Sequence, residues 1–345
     1  MRKFIAVAIG LGIIAGVALH GRAAQQGAAV NAGGDWPMYR HDSAGTGYSM
    51  LTEINPSNVS RLVGAWTYRL AAAQPAAPAA GGRGGGTDAV NSEATPIVVN
   101  GVMYLPAANR VVALEPETGK EIWQTPVMGG APSRRGVAYW AGEGSTPARV
   151  LFTVGRRLIA LDAKTGTRAQ GFGANGEVDL VTPYNSVPFI YQHVVVVGAN
   201  TPPGAEGGIG NPRAYDARTG AKLWEFSAVP QPGDIGHDTW DGDSWKDRLG
   251  VNAWPFYFTM DERRGLLYVP LASPIPDDYG GDRKGANLFG NSVVAVDIAT
   301  GKYRWHFQTI HHDIWDADPP APPGLFDITR TGQTIPALAL TTKSG

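Results

Sequence analysis

The hydrophobic positions of this chain fall into short runs separated by turn residues. Between residues 96 and 125, four such runs read PIVV, VMYLPA, RVVALE and KEIWQT, with turns at Asn100-Gly101 and around Thr118-Gly119. Short runs rich in Val, Ile and aromatic residues, joined by turns of this kind, are typical of β-hairpins. The pattern predicts one four-stranded antiparallel sheet.

The last part of this unit recurs three times along the chain. The later copies read LIALDAKTGTRAQ, RAYDARTGAKLWEF and VVAVDIATGKYRWHF. The turn glycines of the four copies are Gly119, Gly166, Gly220 and Gly301. Their spacing falls in or above the range of propeller repeats, and the longer intervals contain Gly/Pro-rich insertions.

A tryptophan accompanies most of these turns. Trp123, Trp224 and Trp305 each stand four residues after their glycine, whereas Gln170 takes this place in the second copy. A large aromatic residue at a recurrent position is first of all a packing residue. We therefore expect the tryptophans to pack between neighbouring sheets.

Four-stranded sheets repeated along a chain predict an all-β fold of the β-propeller type, whose radial arrangement protects the sheet edges. About four repeats are visible, and the final segment LFDITRTGQTIPALALTTKSG is typical of the opening hairpin of a further sheet. An unclosed propeller would expose sheet edges. We therefore expect the chain to be the N-terminal part of a longer protein, ending within a blade.

Two segments lie outside the repeats. Residues 1–23 combine a basic start, an apolar run and small residues at Gly21 and Ala23, which predicts a signal peptide. The apolar run is shorter than a spanning helix needs, so we expect membrane association only through an uncleaved signal segment. Residues 71–87 lack large apolar side chains and predict a flexible loop inside the propeller domain of residues 24–345.

Charge and cysteine content exclude several classes of function. The formal net charge is -1 and no Lys/Arg stripe is present, so the chain has no electrostatic footprint for nucleic acid. A small molecule or another protein is the expected partner. The chain has no cysteine, which excludes disulfides, thiolate metal sites and a Cys-x-x-Cys-His haem attachment within these residues.

The stretch HHDIWDADPP, residues 311–320, carries the densest candidate chemistry. Its three aspartates, Asp313, Asp316 and Asp318, are candidates for a general base, and carboxylates also bind hard cations. The structural alternative is a hydrogen-bonded turn before Pro319-Pro320. A histidine metal site is a poor interpretation, because adjacent histidines on a strand face opposite ways.

Five segments in this order, GGDWPMYRHDSAGTGYS, SEATPIVVNGVMYL, RRGVAYW, DTWDGDSW and HHDIWDAD, resemble the quinoprotein dehydrogenases. Members of that family are eight-bladed propellers that bind pyrroloquinoline quinone (PQQ) and Ca²⁺ and oxidise alcohols or sugars in the periplasm. The resemblance covers the chain after the signal peptide, or about the first half to two-thirds of a member. It implies a cytochrome or ubiquinone as electron acceptor.

The resemblance also implies roles for individual residues. Asp316 matches the catalytic base and is expected to contact the metal, and Lys343 matches the cation beside the reactive quinone oxygens. Arg135 matches an arginine at the cofactor's carboxylates, and Glu93 an acidic residue at the cofactor. Trp254 occupies the place of the tryptophan that stacks on the quinone plane.

The resemblance is less complete for the calcium ligands. Glu206 resembles a calcium-binding glutamate of the alcohol-type branch, although its loop differs in length and contains two prolines. Ser273 falls where that branch has a ligating asparagine, and Asn200 is an alternative donor. Trp140 matches the alcohol-type pattern, and Asn287 is expected to be structural.

The rival hypothesis is a non-catalytic propeller of the outer-membrane assembly type, which binds proteins rather than PQQ. Without the resemblance, Trp254 would be interpreted as a core residue, and Glu93 and Lys343 as solvated surface. A scaffold has no reason to bring Trp254, Asp316 and Lys343 to one axis. Their placement in the structure therefore discriminates between the two hypotheses.

Overall fold

The structure is a computed structural model that describes most of the chain outside the N-terminal segment. The described residues are 34–71, 93–200, 210–246, 248, 250–253 and 257–344. The predicted signal peptide, the loop predicted at 71–87 apart from Ala71, and the candidates Glu206 and Trp254 lie outside them.

The first two sheets each contain four antiparallel strands in chain order. The strands of the first sheet are β1 (Ile97–Val99), β2 (Val102–Pro106), β3 (Arg110–Leu114) and β4 (Glu121–Pro126). Those of the second sheet are β5 (Ala138–Trp140), β6 (Arg149–Val154), β7 (Arg157–Asp162) and β8 (Glu177–Asp179). The first sheet confirms the four strands predicted from the hydrophobic runs.

The remaining strands form two further sheets and a hairpin. The third sheet consists of β9 (Phe189–Tyr191), β10 (Val194–Val197), β11 (Arg213–Asp216) and β12 (Lys222–Glu225). The fourth consists of β13 (Val251–Ala253), β14 (Thr259–Asp261), β15 (Leu266–Pro274), β16 (Ser292–Asp297) and β17 (Tyr303–Gln308). The predicted final hairpin is confirmed as β18 (Gly324–Arg330) paired with β19 (Gln333–Ala339).

The fourth sheet differs from the four-stranded prediction because it has five strands. The nine-residue strand β15 pairs with both β13 and β14, placing Val251 opposite Pro274 and Thr259 opposite Tyr268. Helical structure among the described residues is limited to two single 3₁₀ turns, Val59–Arg61 and His237–Thr239. Neither of these turns has the length or the hydropathy of a membrane-spanning helix.

The central strands of the sheets are buried on both faces. All six residues of β6 and all four of β10 are buried, as expected where a sheet lies between two neighbours. One hydrophobic cluster runs from the second sheet to the fourth and includes Leu158, Phe189 and Val269. The sheets therefore pack face to face along the chain order.

The tryptophans connect each sheet to the turn of the next. The Trp123 indole N–H donates to the carbonyl of Ala163 at 3.0 Å, and its ring covers Gly166. A Cβ at Gly166 would lie 2.6 Å from that ring, and one at Gly301 would lie 2.6 Å from Trp224. The predicted packing of Trp123 and Trp224 between sheets is confirmed, and only glycine fits beneath them.

One further contact between an indole and a turn glycine was not predicted from the sequence repeats. Trp66 precedes the first sheet, donates its indole N–H to the carbonyl of Pro116 at 3.0 Å and covers Gly119. Trp305, in the fourth sheet, is half-buried and contacts Tyr268.

An arginine replaces the tryptophan in the second sheet. With Gln170 at the expected place, Val178 is the side chain closest to Gly220. The buried guanidinium of Arg149 donates to the Ala217 carbonyl at 2.6 Å, three residues before that glycine. The indoles of the other repeats reach the equivalent carbonyl, so Arg149 supplies the missing donor.

Candidate active site

The loop of residues 311–320 follows β17 and is organised around the carboxylate of Asp313. This side chain is 2% exposed and accepts hydrogen bonds from the N–H groups of Trp315 (3.0 Å) and Ala317 (2.8 Å). It also accepts from the Asn291 amide at 2.9 Å and from the Ser273 hydroxyl. Burial opposes its ionisation, but these hydrogen bonds outweigh burial and lower the pKa of Asp313.

A buried arginine supports this loop from behind. The Arg283 guanidinium donates to the Asp313 backbone carbonyl and, at 2.9 Å, to the side-chain oxygen of Asn287. Asn287 returns a hydrogen bond to the Arg283 carbonyl at 2.7 Å, which agrees with its predicted structural role. The Thr239 hydroxyl, from the DTWDGDSW segment, accepts a hydrogen bond from the N–H of Leu288 at 2.9 Å. Leu288 follows Asn287, so this bond fixes the backbone next to Asn287.

Lys343 joins two of the three aspartates. Its ammonium group donates to Asp316 Oδ2 at 2.7 Å and to Asp318 Oδ2 at 2.8 Å. The Asp318 side chain is 4% exposed and also accepts from the Ser273 N–H at 2.8 Å. Asp316 is 40% exposed and Lys343 is 38% exposed, so this end of the group is open to solvent.

Burial and charge act differently on the members of this group. Burial raises the pKa of Asp318, although the Lys343 hydrogen bond partly offsets the effect. Burial of Lys343 works against its charge, but the hydrogen bonds to Asp316 and Asp318 outweigh burial and raise the pKa of the amine. The group therefore holds a protonated amine between two carboxyl groups.

Asp316 has an uncommon backbone conformation. Its φ of 52° lies in the left-handed region, which non-glycine residues adopt rarely. The flanking residues, Trp315 and Ala317, are the two whose N–H groups bind Asp313. The strained residue is thus held on both sides by one buried carboxylate.

The other two described cofactor candidates also lie together. Arg135 and Glu93 form an ion pair at 3.1 Å, and the Arg135 side chain is 17% exposed. A cavity of about 240 Å³ lies beside this pair. It is lined by Tyr39, Arg40, Thr95 and Pro322. Thr95 donates its N–H to the Arg135 carbonyl at 2.9 Å, so the cavity adjoins the backbone of Arg135.

A larger cavity lies away from these residues. It has a volume of about 740 Å³ and lies between the fourth sheet and the final hairpin. Its lining includes Met260, Tyr268, Trp305, Leu325 and Leu338, and it contains none of the predicted site residues. We therefore locate the candidate site by the positions of the predicted residues and not by the size of the cavity.

The described residues do not assemble a calcium site by themselves. No group of three or more His, Cys, Asp or Glu residues in the described ranges is placed to hold a metal ion. Asp316 supplies a carboxylate, while the Ser273 hydroxyl is bound to Asp313. Asn200 is half-buried and donates its N–H to the Pro183 carbonyl, and Glu206 lies outside the described residues.

The structure brings four of the candidate residues together in two pairs, Asp316 with Lys343 and Glu93 with Arg135. Trp140 is buried beneath the Arg149 guanidinium, 5.6 Å from it, and is a packing residue.

Sequence reasoning included Asp313 and Asp318 among the candidate bases but did not predict their structural roles, and it missed Arg283 altogether. The spacing of the aspartates in HHDIWDAD was a visible signal for the first two. Arg283 is 0% exposed, and nothing in GGDRKG distinguishes it from a surface arginine.

Comparison with known proteins identifies the family. Residues 36–345 match the family described as PQQ, glucose/ethanol/alcohol dehydrogenase, beta-propeller domain. The chain is 34% identical to the glycerol dehydrogenase large subunit of Gluconobacter oxydans, over 93% of this chain and 45% of that protein. It is 32% identical to quinoprotein glucose dehydrogenase A of Acinetobacter calcoaceticus, over 90% of this chain and 42% of that protein.

A solved structure agrees with this result. The quinohemoprotein alcohol dehydrogenase ADHIIG of Pseudomonas putida HK5 superposes with a TM-score of 0.75 at 31% identity, covering 90% of this chain and 45% of that one. The chain therefore belongs to the PQQ-dependent dehydrogenase family, and its sheets are β-propeller blades, as predicted. It spans less than half the length of these relatives.

Proposed function

We propose that this protein acts in the periplasm as a quinoprotein dehydrogenase that oxidises an alcohol or a sugar. The observation that supports this most is the contact between Asp316 and Lys343. Residues 27 positions apart in the chain place a solvent-accessible carboxylate 2.7 Å from a cation. Oxidation of an alcohol requires a base that removes the hydroxyl proton and a positive charge that stabilises the electron acceptor.

The described residues include the two cations that we propose for PQQ, each of which also forms an ion pair with a carboxylate. The cofactor is a flat, anionic quinone, so its site needs cations and an aromatic surface. Arg135 and Lys343 are the cations, and Glu93 holds Arg135 in place through their ion pair. Trp254 is proposed as the aromatic surface on which the quinone stacks.

The bound quinone supplies the hydride acceptor. Asp316 accepts the hydroxyl proton of the substrate. Lys343 fixes the orientation of this carboxylate through Oδ2, and no hydrogen bond to Oδ1 occurs within the described part of the chain. We propose Oδ1 as the atom that receives the proton, and the solvent exposure of Asp316 allows the proton to leave to water.

We further propose that Asp316 and Glu206 contribute oxygen ligands to Ca²⁺, in line with the preference of this ion for carboxylates. The electrons are proposed to pass to a cytochrome or to ubiquinone.

The experiment is reconstitution of the complete gene product with PQQ and Ca²⁺, followed by assay with a panel of alcohols and sugars and an artificial electron acceptor. We expect turnover that requires PQQ, is lost with a chelator and returns with Ca²⁺. A protein that neither binds PQQ nor reduces the acceptor with any substrate would refute the proposed function.

A further inference from the structure

The buried carboxylate of Asp313 accepts hydrogen bonds from four donors. Its Oδ2 accepts from Ser273, Asn291 and the N–H of Ala317, and its Oδ1 accepts from the N–H of Trp315. A buried carboxylate with this many donors stays ionised and is fixed in position. It is a rigid anchor inside a loop that carries an exposed functional group.

The anchor acts on the two peptide groups next to Asp316. A left-handed backbone at a non-glycine residue persists only where the surrounding structure enforces it. The two bonds from Trp315 and Ala317 to Asp313 enforce this conformation from both sides. The direction of the Asp316 side chain follows from that backbone.

The anchor is itself attached to the blade. Ser273 is the penultimate residue of β15, and Asn291 immediately precedes β16. Two of the four donors are therefore held by strands of the fourth sheet. Arg283 donates to the Asp313 backbone carbonyl and is fully buried. Asp313 therefore fixes the position of Asp316 relative to the propeller.

We propose that Asp313 is a positioning residue for Asp316: it does not touch the substrate, but it fixes the backbone that aims the proton-accepting carboxylate. The inference rests on the proposed function of Asp316. Displacing a reacting group by about 1 Å can reduce the rate on the order of 100-fold, so a small loss of order in this loop should be visible in kcat.

The test is Asp313→Asn in the holoenzyme. Asparagine keeps the size of the side chain, but in either orientation its NH₂ group faces a donor, either Trp315 N–H or the group around Ser273. We expect faster hydrogen exchange of the Trp315 and Ala317 amides. We also expect a fall in kcat on the order of 10- to 100-fold, with KM within about twofold of wild type and unchanged PQQ content.

Asp216 provides the matched control. It is also buried and accepts the N–H groups of Arg218 (2.7 Å) and Thr219 (3.2 Å), but it caps the turn of the third sheet. Asp216→Asn should increase amide exchange at residues 218 and 219 and leave kcat unchanged. This comparison separates positioning of Asp316 from a general loss of stability.

Ser273→Ala is a milder second variant, since it removes one donor to Asp313. If Asp313→Asn does not fold, Ser273→Ala should still show faster exchange of the Trp315 and Ala317 amides and a lower kcat, both to a smaller extent. Two results would overturn the inference. One is a folded variant in which the amides of residues 315 and 317 exchange faster but kcat stays at the wild-type value. The other is a variant in which the exchange of these amides does not change. A wild-type protein without PQQ-dependent turnover would instead refute the proposed function, and amide exchange would still show whether Asp313 holds the loop.

Discussion

The three aspartates between residues 313 and 318 are chemically identical, and their surroundings give them different properties. Asp313 is buried among donors that lower its pKa, whereas burial raises the pKa of Asp318. Asp316 is the exposed member and contacts Lys343. Sequence spacing alone left all three as candidates, because burial and hydrogen bonding depend on strands far away in the chain.

Lys343 should contribute more to stability than a surface lysine does. Lys343→Met leaves the Asp318 carboxylate buried without its cation, which we expect to cost about 2 kcal/mol, less than for a fully buried pair because Lys343 is partly exposed. The double variant Lys343→Met/Asp318→Asn should recover most of this loss, since the amide carries no charge and still accepts the Ser273 N–H. Urea unfolding at pH 7 measures both.

Lys246 is the control for this experiment. It forms an ion pair of the same length, 2.8 Å, but with Asp243, whose side chain is 75% exposed. Lys246→Met should change the free energy of unfolding by less than about 1 kcal/mol. Equal losses for Lys343→Met and Lys246→Met would show that burial of Asp318 has no energetic consequence.

At the level of the elements, the sheets are joined by a repeated contact between an indole and a turn glycine. The turn at Gly301 needs glycine for two reasons, its φ of 67° and the Trp224 ring above it. Gly101 has a similar φ of 73°, but no atom lies within 4 Å of a Cβ placed there. The two positions therefore separate backbone strain from steric contact.

Gly101→Ala should cost about 1 kcal/mol, because the left-handed conformation alone penalises a Cβ. Gly301→Ala should cost at least about 2 kcal/mol more, since Trp224 must also move out of its packed position. Urea unfolding of both variants provides the comparison. Similar losses at the two glycines would mean that the indole contact does not hold the blades together.

Local patterns predicted these elements well. The strand runs and the turns at Gly119 and Gly301 depend on residues close in sequence, so they can be read directly. The packing role of Trp123 was predicted from its recurrence, although its partner Ala163 is 40 residues away. The fifth strand of the fourth sheet and the substitution of Arg149 for an indole depend on pairing between distant segments. Gln170 indicated that the second repeat was different, but not which residue compensates.

At the level of the whole molecule, the candidate site residues come from chain segments that are far apart in the sequence. Glu93 and Arg135 flank the first sheet, whereas Asp316 and Lys343 follow the fourth sheet and lie on either side of the hairpin. The resemblance predicted the family, which the comparison with known proteins confirms, and it proposed these residues as candidates. It did not predict that Lys343 is shared between two carboxyl groups, because that contact depends on the fold of the loop around Asp313.

The most direct test of the central claim is the turnover of Asp316→Asn compared with wild type at equal PQQ content. Asparagine keeps the size of the side chain and can still accept a hydrogen bond from Lys343, but it cannot take up a proton from the substrate. The account predicts a fall in kcat on the order of 100- to 10,000-fold. A variant that holds the same amount of PQQ and turns over within about twofold of wild type would contradict the assignment of Asp316 as the base.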